Sequence, residues 1–255
     1  MKKNKILAFI CITLVTLSIS ACGGNEKPVE QSVQQKVEET DSQETAANEG
    51  IDKDLEGIDL VHSIAYKKPE KLMIKSEMTA SGLTTKMTTY YDGDKTRTEV
   101  ESPNLPQSVL ISLPSEGVMY TYVSGQSDGF KMVGADNTYA EEMGLMVDDS
   151  ELLTEIVDES SDDIIARVET LDGEEVIYIE TSEADEEMGN VLVKMWYSNK
   201  YGTPLKYEVI MNETTMMELK VTEINDKEKI DDSLFVPPSD VNFQEVNMEQ
   251  MVENW

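Results

Sequence analysis

The cysteine at position 22 has the most clearly defined chemistry in this sequence. Three lysines within the first five residues precede an almost uninterrupted apolar run over 6–17, which is too short to span a bilayer comfortably. The small residues of Ile19-Ser20-Ala21 then come directly before Cys22. A signal peptidase needs small side chains there, because the scissile backbone must lie extended in a narrow cleft. We therefore predict that residues 1–21 are removed as a secretion signal and that Cys22 begins the mature chain.

The segment Ile19-Ser20-Ala21-Cys22 resembles the lipobox of bacterial lipoproteins, in which the cysteine thiol receives a diacylglycerol. This resemblance implies a lipid anchor of the palmitate type at Cys22 and an extracytoplasmic chain anchored to the cell membrane. The alternative is an ordinary signal peptide followed by an incidental cysteine. Since the other cysteine, Cys11, lies inside the signal, the mature chain would have no disulfide and would depend on its hydrophobic core for stability.

Few residues of this sequence are candidates for catalysis or metal binding. The single histidine, His62, has no second histidine or cysteine with which to bind a metal. The acidic run over 158–163 lacks the glycine and the alternating spacing of a calcium loop, so we interpret it as a solvated loop. The sequence contains no glycine-rich phosphate loop, nucleophile elbow or HExxH pattern. We predict that the protein is not an enzyme and uses no metal or other cofactor.

The charge balance excludes one class of partner. The chain carries 51 acidic and 21 basic residues, for a net charge of −30. A polymer this acidic repels nucleic acid, so nucleic-acid binding is not expected. Acidic residues are frequent and aromatic residues absent over 23–57, which predicts a disordered spacer over 22–54, behind the lipidated cysteine. The remaining residues, 55–255, are numerous enough for one domain with a substantial core.

Hydrophobic periodicity indicates the elements of that domain. Apolar and polar residues alternate strictly over 191–197, 205–211 and 217–221, which predicts an antiparallel meander with one apolar and one solvated face. Asp92-Gly93-Asp94 and Leu171-Asp172-Gly173-Glu174 are typical of tight turns between strands. Helical spacing over 58–65 and 138–157 predicts two helical segments. With about nine to eleven strands expected, the pattern predicts an α+β domain built on a strongly curved antiparallel sheet.

The order of these elements resembles the LolA/LolB-like lipoprotein-carrier fold, which the RseB-type stress sensors and lipid-carrying mycobacterial lipoproteins share. The resemblance rests on Lys194-Met195-Trp196-Tyr197, on Thr203-Pro204-Leu205-Lys206-Tyr207 and on Asp232-Ser233-Leu234-Phe235-Val236-Pro237-Pro238, which follow one another in this order. It implies an open half-barrel whose concave face is covered by helices, and a hydrophobic cavity that accepts acyl chains or similar ligands.

Methionine is the most distinctive residue of the composition, with 15 in the chain. Its flexible, polarizable side chain suits a surface that accepts apolar partners of variable shape, although the same residues also suit an ordinary core. Together with the resemblance, this predicts a site for a lipid, an acyl chain or a hydrophobic peptide. The alternatives are a protein-interaction lipoprotein that regulates a membrane sensor or an envelope enzyme without a small ligand, and a structural surface protein. The candidate ligand-binding residues are Met143, Met146, Met195, Tyr197, Tyr207, Val209, Met211, Met217 and Leu219.

Overall fold

A computed structural model describes residues 51–64, 69–134, 164–185, 189–227 and 229–247. The predicted signal, Cys22, the linker up to residue 50, the helical segment over 138–157 with Met143 and Met146, and the acidic run over 158–163 lie outside the described residues. The structure therefore leaves these predictions untested.

Strands make up most of the described backbone. The helical elements are α1 (Gly57–His62) and two 3₁₀ turns, Pro114–Glu116 and Asp232–Phe235. The strands are β1 (Lys71–Ala80), β2 (Leu83–Asp92), β3 (Lys95–Glu101), β4 (Ser108–Leu113), β5 (Val118–Val123), β6 (Asp128–Val133), β7 (Ile165–Leu171), β8 (Glu174–Asp185), β9 (Gly189–Ser198), β10 (Thr203–Met211), β11 (Thr214–Asn225) and β12 (Asn242–Asn247).

All twelve strands belong to one sheet, in the order β12-β6-β5-β4-β3-β2-β1-β11-β10-β9-β8-β7. Its neighbouring strands are antiparallel except β12, which pairs in parallel with β6. The sheet is therefore mixed, and the predicted antiparallel sheet of nine to eleven strands is wrong. Strand β12 was not predicted because its alternation is weak. The returning chain nevertheless forms a strand there, since the edge of β6 offers unpaired backbone groups.

The predicted helices over a concave face are also wrong for the described part of the chain. The only α-helix in the described ranges is α1, which has six residues and lies against β7 and β8. It ends earlier than the helical spacing predicted. The hydroxyl of Ser63 donates a hydrogen bond of 2.7 Å to the carbonyl oxygen of Leu60 and so satisfies a carbonyl of the last turn. The part of the domain that the structure describes is thus a β-sheet with one short helix, and the predicted helical layer is absent from it.

The predicted turns are confirmed. Asp172 and Gly173 both have positive φ, at 51° and 89°, which is the backbone conformation that a two-residue hairpin between β7 and β8 requires. Gly93 has φ of 62° in the turn between β2 and β3. The antiparallel meander of β9, β10 and β11 is confirmed as well.

None of the helices in the described ranges is long and apolar enough to cross a membrane.

The register divides the side chains of the sheet into two chemically different faces. In β1 to β5 and β9 to β11, every lysine, arginine, aspartate and glutamate falls on one face, which we call the charged face. The opposite face of these eight strands has no lysine, arginine, aspartate or glutamate, and we call it the uncharged face. We use the same two names for the corresponding sides of β7 and β8, although Glu175 of β8 lies on the uncharged side there. In a chain with 28% charged residues, this separation defines the surface most suited to an apolar partner.

Candidate ligand-binding face

The uncharged face is tightly packed over β8, β9 and β10. Val193 lies opposite Val209, and Met195 lies between Ile179 and Tyr207 in the same row. Met195 and Val209 are both 0% exposed, and burial raises the pKa of Tyr207 to about 12. The helix α1 contributes a fully buried Leu60 near this part of the sheet. This half of the face is a hydrophobic core.

The same face is less covered over parts of β1 to β4 and β11, outside the buried cluster of Leu72, Ile74 and Tyr201. Met78 lies opposite Leu219, Met217 lies opposite Ala80, and Met87 lies opposite Val100. These side chains are half-buried, whereas their counterparts on β9 and β10 are fully buried. Apolar side chains that are neither charged nor fully covered form a surface that another apolar molecule can complete. We call this half of the face the open half, and it comprises Met78, Met87, Val100, Leu110, Met217 and Leu219.

Hydroxyl groups are interleaved with the apolar side chains of the open half. The hydroxyls of Thr89 and Thr98 are 3.2 Å apart across β2 and β3, and those of Thr85 and Ser102 are also 3.2 Å apart. A hydroxyl can donate one hydrogen bond and accept two, so these pairs keep capacity for further partners. The hydroxyl residues on this face of β1 to β5 are Ser76, Thr85, Thr89, Thr96, Thr98, Ser108, Ser112 and Thr121.

In the packed half, the hydroxyl of Thr181 differs from these hydrogen-bonded pairs. It lies opposite Val193 at 3% exposure, and its Oγ1 has no hydrogen-bond partner. A buried polar group without a partner is destabilising, by about 1–3 kcal/mol.

The structure brings the described candidate residues together on one face but divides them by burial. Met195, Tyr197 and Val209 are fully buried parts of the core, and Tyr207 is nearly so. Met217 and Leu219 are half-buried members of the open half, and Met211 is half-buried at the end of β10. Whether any of them contacts a ligand stays a prediction.

Sequence reasoning overlooked Met78 and Met87. Both occupy alternate positions in segments rich in serine and threonine, Ser76-x-Met78-x-Ala80 and Thr85-x-Met87-x-Thr89. The signal that would have identified them is the absence of charge at these alternate positions, since their neighbours Lys75, Glu77 and Lys86 are charged. Hydrophobicity alone was insufficient because threonine weakens the apolar alternation.

The charged face of β2 to β5 is covered by the segment that precedes β12. Ile230 and Phe235 are buried against Val109, Ile111 and Leu113, with Tyr90, Tyr120, Tyr122 and Leu234 around them. Farther along, Phe243 of β12 packs edge-on against Tyr120, with ring centroids 5.1 Å apart. We call residues 230–247 the C-terminal strap.

Two cations hold the strap by its backbone. Arg97 donates to the carbonyl oxygen of Leu234 (3.1 Å), to Tyr122 (3.3 Å) and to Glu99 (2.8 Å). Burial alone would lower the pKa of Arg97, but the hydrogen bonds to Tyr122 and Glu99 outweigh burial and raise it. Lys71 donates to the carbonyl oxygen of Ile230 (3.3 Å) and to Asp92 (3.2 Å). These contacts give the strap a fixed position on the sheet.

On the charged face of β7 to β10, two adjacent aromatic rings lie in one row between two cations. The Arg167 guanidinium lies 4.1 Å from the Tyr178 ring centroid, and the Lys206 ammonium lies 4.7 Å from that of Trp196. Tyr178 and Trp196 pack edge-to-face at 5.1 Å. Because the cations cover the rings and also pair with neighbouring glutamates, this row forms a self-contained surface layer.

The described residues contain no group of three or more histidine, cysteine, aspartate or glutamate side chains placed to hold a metal ion.

No protein-family model and no curated protein matches this chain. Among solved structures, it is similar to an uncharacterized conserved protein from Thermus thermophilus, with a TM-score of 0.44, 12% identity, and coverage of 70% of this chain and 91% of that one. It is also similar to the Pseudomonas aeruginosa MucA/MucB complex, with a TM-score of 0.42, 10% identity, and coverage of 69% and 58%. The alignment thus spans less than two thirds of that chain.

A third similar structure is a LolA superfamily protein from Nitrosomonas europaea, with a TM-score of 0.33, 9% identity, and coverage of 71% of this chain and 98% of that one. A domain from Vibrio parahaemolyticus described as a putative outer membrane lipoprotein-sorting protein has a TM-score of 0.25 and 12% identity, with coverage of 70% and 95%. The similar structures thus include a member of the LolA superfamily, whose fold the sequence was predicted to resemble, and the similarity concerns the fold alone.

Proposed function

We propose that this chain is an extracytoplasmic lipoprotein, tethered through Cys22, which binds an apolar ligand on the open half of the uncharged face. The ligand class is a lipid, an acyl chain or a hydrophobic peptide. The role is one of binding, not of catalysis. The observation that carries the proposal is the charge separation: eight strands of a highly acidic chain present one face without charge, and the open half of that face is only partly covered.

Three physical arguments support this assignment. Apolar area that leaves water contributes about 25 cal/mol per Å² to the stability of a complex. A ligand that covers the half-buried methionines and leucines is therefore bound more tightly. Methionine adapts its shape to ligands of different outline, and Met78, Met87 and Met217 border the same surface. Finally, the neighbouring packed half provides a rigid support, because its side chains already fill their space.

The proposed tether is tested separately from the binding face. We expect Cys22→Ala to abolish incorporation of labelled palmitate and to move the chain from the membrane fraction into the medium. Retention of label or of membrane association by this variant would contradict the anchor and leave the ligand proposal intact.

The ligand-binding proposal is tested on the secreted chain carrying Cys22→Ser, which cannot be acylated. We expect organic extracts of the purified protein to contain lipid by mass spectrometry, and the lipid-stripped protein to increase the fluorescence of N-phenylnaphthylamine. Met87→Lys should weaken dye binding about tenfold or more, because it places a charge on the uncharged face.

Thr88→Lys is the matched control for that variant, since Thr88 is the next residue of β2 and points to the charged face. It should leave dye binding unchanged within about twofold. A folded parent chain that neither carries lipid nor binds the dye would contradict the proposal, as would equal losses in the two lysine variants.

A second candidate function is binding of a protein partner, and the edge of the sheet favours it. Strand β7 is an edge strand of the sheet, so one of its sides has no neighbouring strand within the described residues. Ile165, at the start of β7, is 50% exposed. A partner could add a strand there through main-chain hydrogen bonds. Crosslinking in intact cells followed by purification distinguishes the two functions, because a stoichiometric protein without lipid would favour this second one.

A further inference from the structure

The edge strand β7 carries a sequence that is complementary to itself. On either side of Val168, Arg167 corresponds to Glu169, and Ile165 corresponds to Leu171. We infer that this edge pairs with β7 of a second copy of the chain, antiparallel and centred on Val168. The juxtaposition that carries it is an edge without a described neighbour and side chains that match in charge and polarity about one residue. This pairing is independent of the ligand proposal, and it gives the edge used by the second candidate function a specific partner.

The main-chain groups of β7 permit this pairing. Leu171 and Glu174 flank the two-residue turn and pair with each other, so their N–H and C=O groups point toward one another. Because these groups alternate in direction along an antiparallel strand, those of Ala166, Val168 and Thr170 point away from β8. No described strand lies on that side. Two copies centred on Val168 would satisfy these groups with about six hydrogen bonds between the strands.

The side chains select one register. Centred on Val168, Arg167 of each copy lies opposite Glu169 of the other, and Ile165 lies opposite Leu171. Moving the centre by one residue places arginine opposite arginine or glutamate opposite glutamate, which is destabilising. Ile165 is 50% exposed and Leu171 is half-buried, and they become neighbours across the interface only in the register centred on Val168.

The local charge of the edge favours a second copy although the whole chain is acidic. Strand β7 is formally neutral, with Arg167 and Glu169 as its charged residues, in a chain of net charge −30. Repulsion between the remaining charges of two copies is screened beyond about 8 Å at physiological ionic strength.

The existing contacts of the two charged residues leave room for the second copy. Within one copy, Arg167 pairs with Glu169 at 2.5 Å, and the Trp196 indole donates to Glu169 at 3.1 Å. A guanidinium has five N–H donors, so Arg167 retains donors for Glu169 of the second copy. The two arginines and two glutamates of the pair would then form a closed ring of alternating charge.

The pairing is tested by reversing one charge in each of two separate variants. In Arg167→Glu, acids would face acids across the interface, and in Glu169→Arg, bases would face bases. We expect the parent to dimerise with a dissociation constant of about 10–100 μM, as for a small interface, and each variant to dimerise about tenfold more weakly or worse. An equimolar mixture of the two variants should recover the parent's affinity within about threefold, because each acid then faces a base. Sedimentation velocity of the secreted chain with Cys22→Ser, at about 0.15 M salt, measures all four samples.

Lys220→Glu is the matched control for these variants. Lys220 is 49% exposed and ion-paired, as Arg167 is, but it lies on the interior strand β11. It should leave dimerisation unchanged within about twofold. Since each reversal changes the net charge of −30 by only two units, both β7 variants stay strongly acidic, and long-range attraction does not explain recovery in the mixture.

Three outcomes would overturn the inference and leave the ligand proposal intact. The first is a folded parent that stays monomeric at about 500 μM. The second is a mixture that does not recover affinity, and the third is an equal loss in Lys220→Glu. Circular dichroism of each variant verifies that the fold is retained.

Crosslinking tests the register directly. The chain carrying Cys11→Ser and Cys22→Ser has no cysteine, so one new thiol reports one position. Val168→Cys should form an intermolecular disulfide under mild oxidation, because the two central Cα atoms would lie about 5.5 Å apart. Thr170→Cys is the control on the same side of the strand, since its counterpart would be four residues away, at about 13 Å, beyond the reach of a disulfide. Equal crosslinking of the two variants, or none in Val168→Cys, would overturn the pairing centred on Val168.

Discussion

The two halves of the sheet differ in what covers each face. Over β8 to β10 the uncharged face is a packed core, and on the charged face Arg167 and Lys206 lie over the rings of Tyr178 and Trp196. Over β2 to β5 the charged face is covered by the C-terminal strap, while most of the uncharged face is only half-buried. The difference teaches that alternation along a strand determines which side chains share a face, but a distant part of the chain determines which face is covered.

The largest expected difference between the halves is that between two methionines of the same face. Met195→Ala should lower the free energy of unfolding by about 2–5 kcal/mol, since the side chain is fully buried and the substitution leaves a cavity. Met217→Ala should lower it by about 1 kcal/mol or less, because Met217 is half-buried and water replaces the lost side chain. Urea unfolding followed by circular dichroism measures both. Equal losses would mean that the open half is packed as tightly as the core, and the ligand proposal would lose its basis.

The same distinction, between local alternation and packing by a distant part of the chain, explains how much of the fold could be predicted from the sequence. The meander of β9 to β11 and the turns at Gly93 and Gly173 were predictable, because alternation and turn chemistry are local. The pairing of β12 with β6 was not, because residues 242–247 are far from 128–133 in the chain and have no strong alternation of their own. The strap illustrates the same limit, since Asp232-Ser233-Leu234-Phe235 was recognised as a motif but not as the cover of Ile111.

The sequence predicted which candidate residues share a face of the sheet, but not which of them are fully buried. The sequence identified Met195, Val209 and Met217 as members of one stripe, and the register places them on one face. It could not separate the fully buried members from the half-buried ones, because burial depends on what packs above the sheet. Met78 and Met87 were overlooked since the threonines around them obscure the apolar pattern.

A smaller difference in stability is expected between substitutions of two arginines on the charged face. Each of these arginines pairs with the glutamate two residues later in the chain. Arg97, at 13% side-chain exposure, also holds the strap, whereas Arg167 is 49% exposed and lies over the Tyr178 ring. Arg97→Met should lower the free energy of unfolding by about 1–3 kcal/mol, because the Leu234 carbonyl, Tyr122 and Glu99 each lose a partner. Arg167→Met should leave the urea midpoint unchanged, as expected for an exposed ion pair.

Hydrogen exchange distinguishes a local effect from a global one for these two variants. Arg97→Met should increase exchange of the amides over 230–247 more than that of the amides in β9. If Arg167→Met destabilised the protein as much as Arg97→Met, the row on β7 to β10 would be a second core and the contrast between the halves would fail.

The smallest of the three effects is a pH dependence that belongs to the packed half. Burial raises the pKa of Tyr207 to about 12 from an ordinary value of 10.0, so folding opposes loss of its proton. Its contribution to stability is complete below pH 10 and is lost as the pH rises through about 12. At pH 11, midway, the loss is about 1 kcal/mol. Tyr207→Phe has no proton to lose and should show a shallower decline in the urea midpoint between pH 9 and 11. Part of the decline should persist, because burial and the hydrogen bond to Glu180 also raise the pKa of Tyr178. Identical pH profiles for the variant and the parent would mean that Tyr207 ionises freely in the folded protein. Water would then reach the packed half of the uncharged face, and this half would not differ from the open one.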